Sequence, residues 1–185
     1  MDVRTRQLTN PRSKERIAFL TTGAETDGRL FALEVVTPPD MVEPPGHIHA
    51  REEERVEVLE GELTTRVDGR EEVVRAGEST VWPAGTPHTW WNSGQGELRF
   101  RAEFRPAGHM QSFFETYCGL ATEGRSDEVG QPPLLQVAAS LPLWGMYLEG
   151  PPVLAQRLLM AVLRPTDWLR GYGSRYERFE RGDIG

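Results

Sequence analysis

From about Ile17 to Phe104 the chain is written in short runs of alternating apolar and polar residues broken by Gly and Pro, and this period of two constrains the fold more than any other feature. Successive side chains on a strand point to opposite faces, so alternation buries one face and wets the other; a helix needs apolar residues three or four apart. In Phe31-Ala32-Leu33-Glu34-Val35 the odd positions can face a core while the acid meets solvent. Leu63, Thr65 and Val67 share a face, Asp68-Gly69 supplies the positive-φ pair of a tight hairpin, and Glu71-Glu72-Val73-Val74 begins the return. Leu98, Phe100, Ala102 and Phe104 alternate with Arg99, Arg101 and Glu103 in the clearest strand of the chain. Several short strands separated by turn signals specify an all-β sandwich or barrel.

After Pro106 and Gly108 the period changes, and three stretches read as helices: His109 to Thr122, Pro133 to Leu148, and Pro152 to Leu163. Proline opens the second and third, where its missing N–H would be unpaired anyway, and Pro165 is expected to end the third. The boundary falls near 106–109, giving a β domain over 1–108 and a helical extension over 109–185. Leu154, Leu158, Leu159, Val162 and Leu163 form one apolar helix face, and Leu134, Leu135, Val137, Ala138 and Leu141 another. Faces this wide are expected to pack on the barrel or at a homodimer interface. The last dozen residues are polar enough to fray.

Composition narrows the function. The first twenty residues carry charges throughout, and no later apolar run reaches membrane-spanning length, so a cytoplasmic protein without a membrane partner is expected. A net charge of -7 and scattered basic residues argue against nucleic acid. Cys118 is the only cysteine, which excludes an intrachain disulfide and a thiolate metal cluster.

The chemical signal is His47-Ile48-His49, because two histidines at i and i+2 on an extended strand face the same way and can share a metal. Glu54 follows five positions later and can join them. His88 lies beyond the turn Pro83-Ala84-Gly85-Thr86-Pro87, which can return a neighbouring strand beside the first pair. The run Glu52-Glu53-Glu54 also reads as a solvated charge cluster, with Glu52 and Glu53 expected to be exposed. His109, at a helix start, is read as structural.

These segments resemble the two motifs of the cupin superfamily. The first is met by His47, His49, Glu54 and Gly61, with Met41 in place of the opening glycine. The second is met in full by Gly77, Pro83, Gly85, His88 and Asn92. Nine of ten specified positions agree, far beyond what average residue usage gives by chance. The missing glycine would serve a turn, and Pro44-Pro45-Gly46 can supply one. The resemblance implies a double-stranded β-helix, or jelly-roll barrel, holding one divalent metal through His47, His49, Glu54 and His88. Three imidazoles and a carboxylate suit Fe, Mn, Ni, Co or Zn and argue against Cu(I). The alternative is a metal-free cupin that has kept the pattern.

If His88 points into the barrel, alternation turns Trp90 and Asn92 the same way, and it turns Glu54, Val56 and Val58 inward. Trp90, Val56, Phe100 and Phe104 are then candidate pocket residues, in a lining suited to a hydrophobic or aromatic small molecule; the same residues also serve as barrel core. Glu54 is the one carboxylate placed for catalysis, and any chemistry runs through the metal. The resemblance extends to quercetinase-like dioxygenases acting on aromatic or enol-containing molecules. Metal-dependent isomerases and cyclases, and non-catalytic sensors or carriers, are the alternatives on the same fold.

Overall fold

The computed structural model describes residues 6–39, 41–133, 136, 137, 140, 141, 144–169 and 179. Its strands are β1 (Gln7–Thr9), β2 (Arg16–Thr21), β3 (Phe31–Thr37), β4 (His47–His49), β5 (Glu53–Glu60), β6 (Glu62–Val67), β7 (Arg70–Arg75), β8 (Ser79–Trp82), β9 (His88–Asn92), β10 (Leu98–Arg105) and β11 (Met146–Leu148). Helices α1 (Met110–Thr122) and α2 (Val153–Leu169) belong to the extension.

The strands form two antiparallel sheets, ordered β1-β2-β3-β10-β5-β8 and β11-β4-β9-β6-β7. Sequence alternation becomes packing directly. Along β10 the buried residues are Leu98, Phe100, Ala102 and Phe104, and along β5 they are Glu54, Val56 and Val58. The hairpin between β6 and β7 turns at Asp68 (φ 48°) and Gly69 (φ 75°), the left-handed pair that a two-residue hairpin requires. Gly61, at the end of the first motif, has φ 87°, and a Cβ there would lie 2.7 Å from the Glu97 carbonyl oxygen. Only glycine fits that crossing. The result is the all-β barrel expected from the alternation, in the jelly-roll form that the cupin resemblance implies.

The extension differs from expectation in three places. The second stretch, expected to be helical from Pro133 to Leu148, is helical among its described residues only at 136, 137, 140, 141 and 144. Gly145, with φ 66°, stops the helix. Met146, Tyr147 and Leu148 then pair with His49, Ile48 and His47 and become an added sheet edge. Next, α2 runs through Pro165 to Leu169, although an interior proline loses one helix hydrogen bond and crowds the carbonyl four residues back. Last, α2 reaches the core through Gln156 and Met160, while Leu154, Leu158, Leu159 and Val162 are 58–72% exposed. Leu134, Leu135, Ala138 and the side chain of Leu163 lie outside the described residues, as does the terminal dozen apart from Phe179, which is buried against Gly119 of α1.

One hydrophobic cluster nevertheless runs through barrel and extension, joining Phe31, Leu33 and Phe104 to Met110, Leu141 and Trp144. The exposed face of α2 gives a direct expectation. Leu158→Asp should change the stability of a single chain by no more than about 0.5 kcal/mol, the usual range for surface substitutions. A melting temperature many degrees lower would show that another surface covers this face.

Candidate metal centre

His47 and His49 stand at the two ends of the three-residue strand β4, on the same side. The strand is held on both edges. His47 pairs with His88 of β9, and the other edge receives β11. Glu54 comes from the opposite sheet, where it lies between Phe104 of β10 and Trp82 of β8. Two sheets therefore supply one cluster, and its four ligand atoms all lie within 4.8 Å of one another.

Backbone carbonyls set the imidazole tautomers. His47 Nδ1 lies 3.1 Å from the Pro45 oxygen and His88 Nδ1 3.0 Å from the Thr86 oxygen. A carbonyl can only accept, so each Nδ1 carries the proton and each Nε2 presents a lone pair. Glu54 Oε2 is 3.3 Å from His49 Nε2 and 3.5 Å from His88 Nε2. The His88 Nε2 is buried without a hydrogen-bond partner. A lone pair left unpaired beside a carboxylate is costly, and a cation between them removes the cost. The stack of Trp82 on His88, centroids 4.7 Å apart, fixes the ring's orientation.

Charge points the same way. Burial, then the neighbouring His88 and His49, lower the His47 imidazole from 6.5 to about 3. Burial pushes the Glu54 carboxyl up, but the neighbouring His49 and His88 rings, through hydrogen bonding and charge, outweigh burial and hold it at about 2. Near neutral pH the folded chain thus offers a neutral His47 imidazole and an ionised Glu54. This nitrogen-rich set fits a divalent cation, and the residues present could hold a metal ion.

Those shifts fix a pH dependence. Unfolded, His47 takes up a proton near 6.5, and folded only near 3; Glu54 does so near 4.5 and near 2. In both windows the unfolded chain binds more protons, so stability is lost as pH falls. Metal-free protein should melt at progressively lower temperature from about pH 7 to about pH 4, and metal affinity should fall in parallel because protons compete for the ligands. Calorimetry at stepped pH, with equilibrium dialysis of the metal, checks both. A melting temperature that rises on acidification contradicts the assignment.

Glu52 departs from expectation. It is buried, not exposed, and only Glu53 of that pair meets solvent. Residues 108 and 145 are glycines that lie over the Glu52 carboxyl, where a Cβ on Gly108 would collide with it. The side chain is thereby enclosed between barrel and extension.

Above the cluster lies a cavity of about 160 Å³. Its floor is His47, His49 and Glu54; its walls are mostly apolar, and their aromatic rings come from both parts of the chain, with Trp90 and Phe104 from the barrel and Phe113, Phe114 and Trp144 from the extension. Val56 and Phe100 do not line it. Both are buried in the barrel core, with Phe100 packed edge-on against Trp90 at 4.8 Å. Asn92 serves structure, donating to the carbonyls of Pro38 and Gly96.

Alternation gave no signal for the other polar pair in the wall, Glu15 and Tyr117. Tyr117 donates a 2.7 Å hydrogen bond to Glu15 Oε2, and burial followed by the nearby Glu15 pushes the phenol's pKa up. A Ser-Lys-Glu turn and a tyrosine 102 residues later carry no joint sequence pattern.

Residues 33–102 match the Cupin_2 family, described as Cupin domain, a span that contains all four clustered residues. No curated protein matches. Among solved structures the chain is similar to a predicted oxalate decarboxylase from Thermotoga maritima, at 21% identity over 57% of this chain and 94% of that one, TM-score 0.49. It is similar to an RmlC-like cupin from Shewanella frigidimarina at 22% identity over 58% and 88%, TM-score 0.48. A cupin-superfamily sugar phosphate isomerase from Silicibacter pomeroyi shares 19% identity over 55% and 71%, TM-score 0.46. The family match, the paired motifs and the jelly-roll that carries them agree: residues 33–102 of this chain are a cupin domain.

Proposed function

We propose that the protein is a metal-dependent oxidoreductase of dioxygenase type, acting on a small aromatic or enol-containing molecule held over one divalent transition metal per chain. The observation that carries this reading is the coincidence of two features: three members of a His3Glu cluster, His47, His49 and Glu54, form the floor of a cavity, and the walls of that cavity are largely apolar and rich in aromatic rings. Metal bound there would supply Lewis acidity and, for a redox-active ion, one-electron chemistry. The chain's own residues would do the rest. Pro45 and Thr86 carbonyls hold two imidazoles in the ligating tautomer, Glu54 balances the cation's charge, and Trp90, Phe104, Phe113 and Phe114 exclude water from a bound ring.

Oxygen uptake by iron-, manganese- and nickel-loaded protein, screened against single-ring phenols and enols, tests the reading. Uptake in step with substrate loss is expected for at least one metal. Trp90→Ala should weaken substrate binding while leaving metal content unchanged. Binding without uptake in any metal form would favour the second reading, a non-catalytic binder or a metal-dependent isomerase or cyclase. The observation behind that reading is that Glu54, the carboxylate at the cluster, is already committed to the histidines.

A further inference from the structure

The cavity has a second polar end. Met110, Phe113, Phe114 and Tyr117 of α1 all line it, and their i, i+3, i+4, i+7 spacing places them on one helix face spanning roughly 10 Å. A continuous aromatic wall leads away from the cluster. His49 meets Phe104 at 5.6 Å between centroids, Phe104 meets Phe114 at 6.1 Å, Phe114 meets Phe113 at 4.9 Å and Phe113 stacks on Tyr117 at 6.0 Å. At its far end Tyr117 donates to Glu15 Oε2 at 2.7 Å, and Ser13 Oγ donates to the same oxygen at 2.6 Å.

Glu15 is held there by a local device. Asn10 Oδ1 accepts from the backbone N–H groups of Arg12 and Ser13, its N–H donates to the Glu15 carbonyl, and Lys14 completes the turn at φ 61°. Both hydrogen bonds to the carboxyl use Oε2, and Oε1 accepts none among the described residues; Glu15 is 6% exposed and lines the cavity. A carboxylate oxygen left open on a cavity wall can accept from a donor on a ligand or a water. The cavity volume of about 160 Å³ matches the class of apolar cavities, about 150 Å³, that admit one benzene-sized ring.

Building on the proposed metal-site reading, we infer that Glu15, positioned by Tyr117 and Ser13, is a specificity-determining second anchor. Its Oε1 accepts a hydrogen bond from a donor group at the end of a single-ring substrate remote from the metal. The substrate class is then a slender amphipathic one: a metal-binding oxygen, one ring, and a short arm ending in a hydroxyl or amine.

Calorimetric titration of zinc-loaded protein under nitrogen with the ethyl, hydroxyethyl and aminoethyl derivatives of catechol tests this without turnover. The hydroxyethyl or aminoethyl compound, or both, should bind at least about tenfold more tightly than the ethyl compound, the gain expected of a hydrogen bond to a charged group. The two arms distinguish a hydroxyl from an amine. Glu15→Leu should erase the discrimination while changing affinity for ethylcatechol only a few-fold. Glu15→Gln, which keeps the shape and the Ser13 and Tyr117 contacts, should reduce discrimination if the leucine variant fails to fold. Equal binding of all three compounds by the wild type, or discrimination that survives both variants, overturns the second anchor and leaves the metal-site reading standing. No binding of any catechol overturns both.

Discussion

Replacing His49 and His88 together by alanine is expected to remove essentially all bound metal from the purified protein while leaving a folded barrel. The two residues come from different strands, β4 and β9, and each is almost fully buried at the cluster. Losing two of four ligands leaves His47 and Glu54, too few for a tight site. The fold should survive because the core of Phe31, Leu33, Val56, Val58, Leu63 and Leu98 is untouched. Removing the imidazoles also relieves an unpaired buried nitrogen on each ring, His49 Nδ1 and His88 Nε2, which partly offsets the lost packing against Trp82 and Phe104. Elemental analysis with circular dichroism separates the outcomes. Unchanged metal stoichiometry in a folded variant would place the site elsewhere.

Phe31→Ala should be the most damaging single change to stability. The residue is fully buried in β3 and its ring touches Phe19 at 5.1 Å, Phe104 at 6.1 Å and Phe114 at 6.2 Å. It thus ties the barrel to α1. Truncating a buried phenylalanine costs about 3–5 kcal/mol through lost transfer energy and the cavity left behind, a large share of a total that is about 5–15 kcal/mol. At about 2–4 °C per kcal/mol for a chain of this size, the melting temperature should fall by roughly 6–20 °C. Because Phe104 and Phe114 also wall the cavity, ligand affinity should fall with it. A small change in melting temperature would mean that the seam between barrel and extension is looser than the packing shows.

The parts of this fold that can be read from sequence are those whose signal is local. Period-two runs set which face of β5 and β10 is buried, and Asp68-Gly69 set the hairpin, because the physics in each case acts within a few residues. The four clustered residues are legible for the same reason, through strand parity and two turns at fixed spacing. What escaped depends on contacts distant in sequence. Met146–Leu148 becomes a strand only because the edge of β4 is available to it nearly a hundred residues earlier. Glu52 is buried because Gly108 and Gly145 close over it, whereas alternation reads a charge before a strand as exposed. The cavity likewise needs Trp144, Phe113 and Phe114 from the extension, whose helical spacing gives the apolar faces but not the surface they meet.

Nitric oxide added anaerobically to the ferrous form of the wild-type protein is the most direct test of a metal held by these four residues at the floor of an open cavity. Four protein ligands leave positions free on a six-coordinate ion. The account predicts the electron paramagnetic resonance signal of an iron nitrosyl at about one per chain, absent when His49 and His88 are replaced. Iron-containing protein that gives no nitrosyl, or a signal that persists in the double variant, would contradict it.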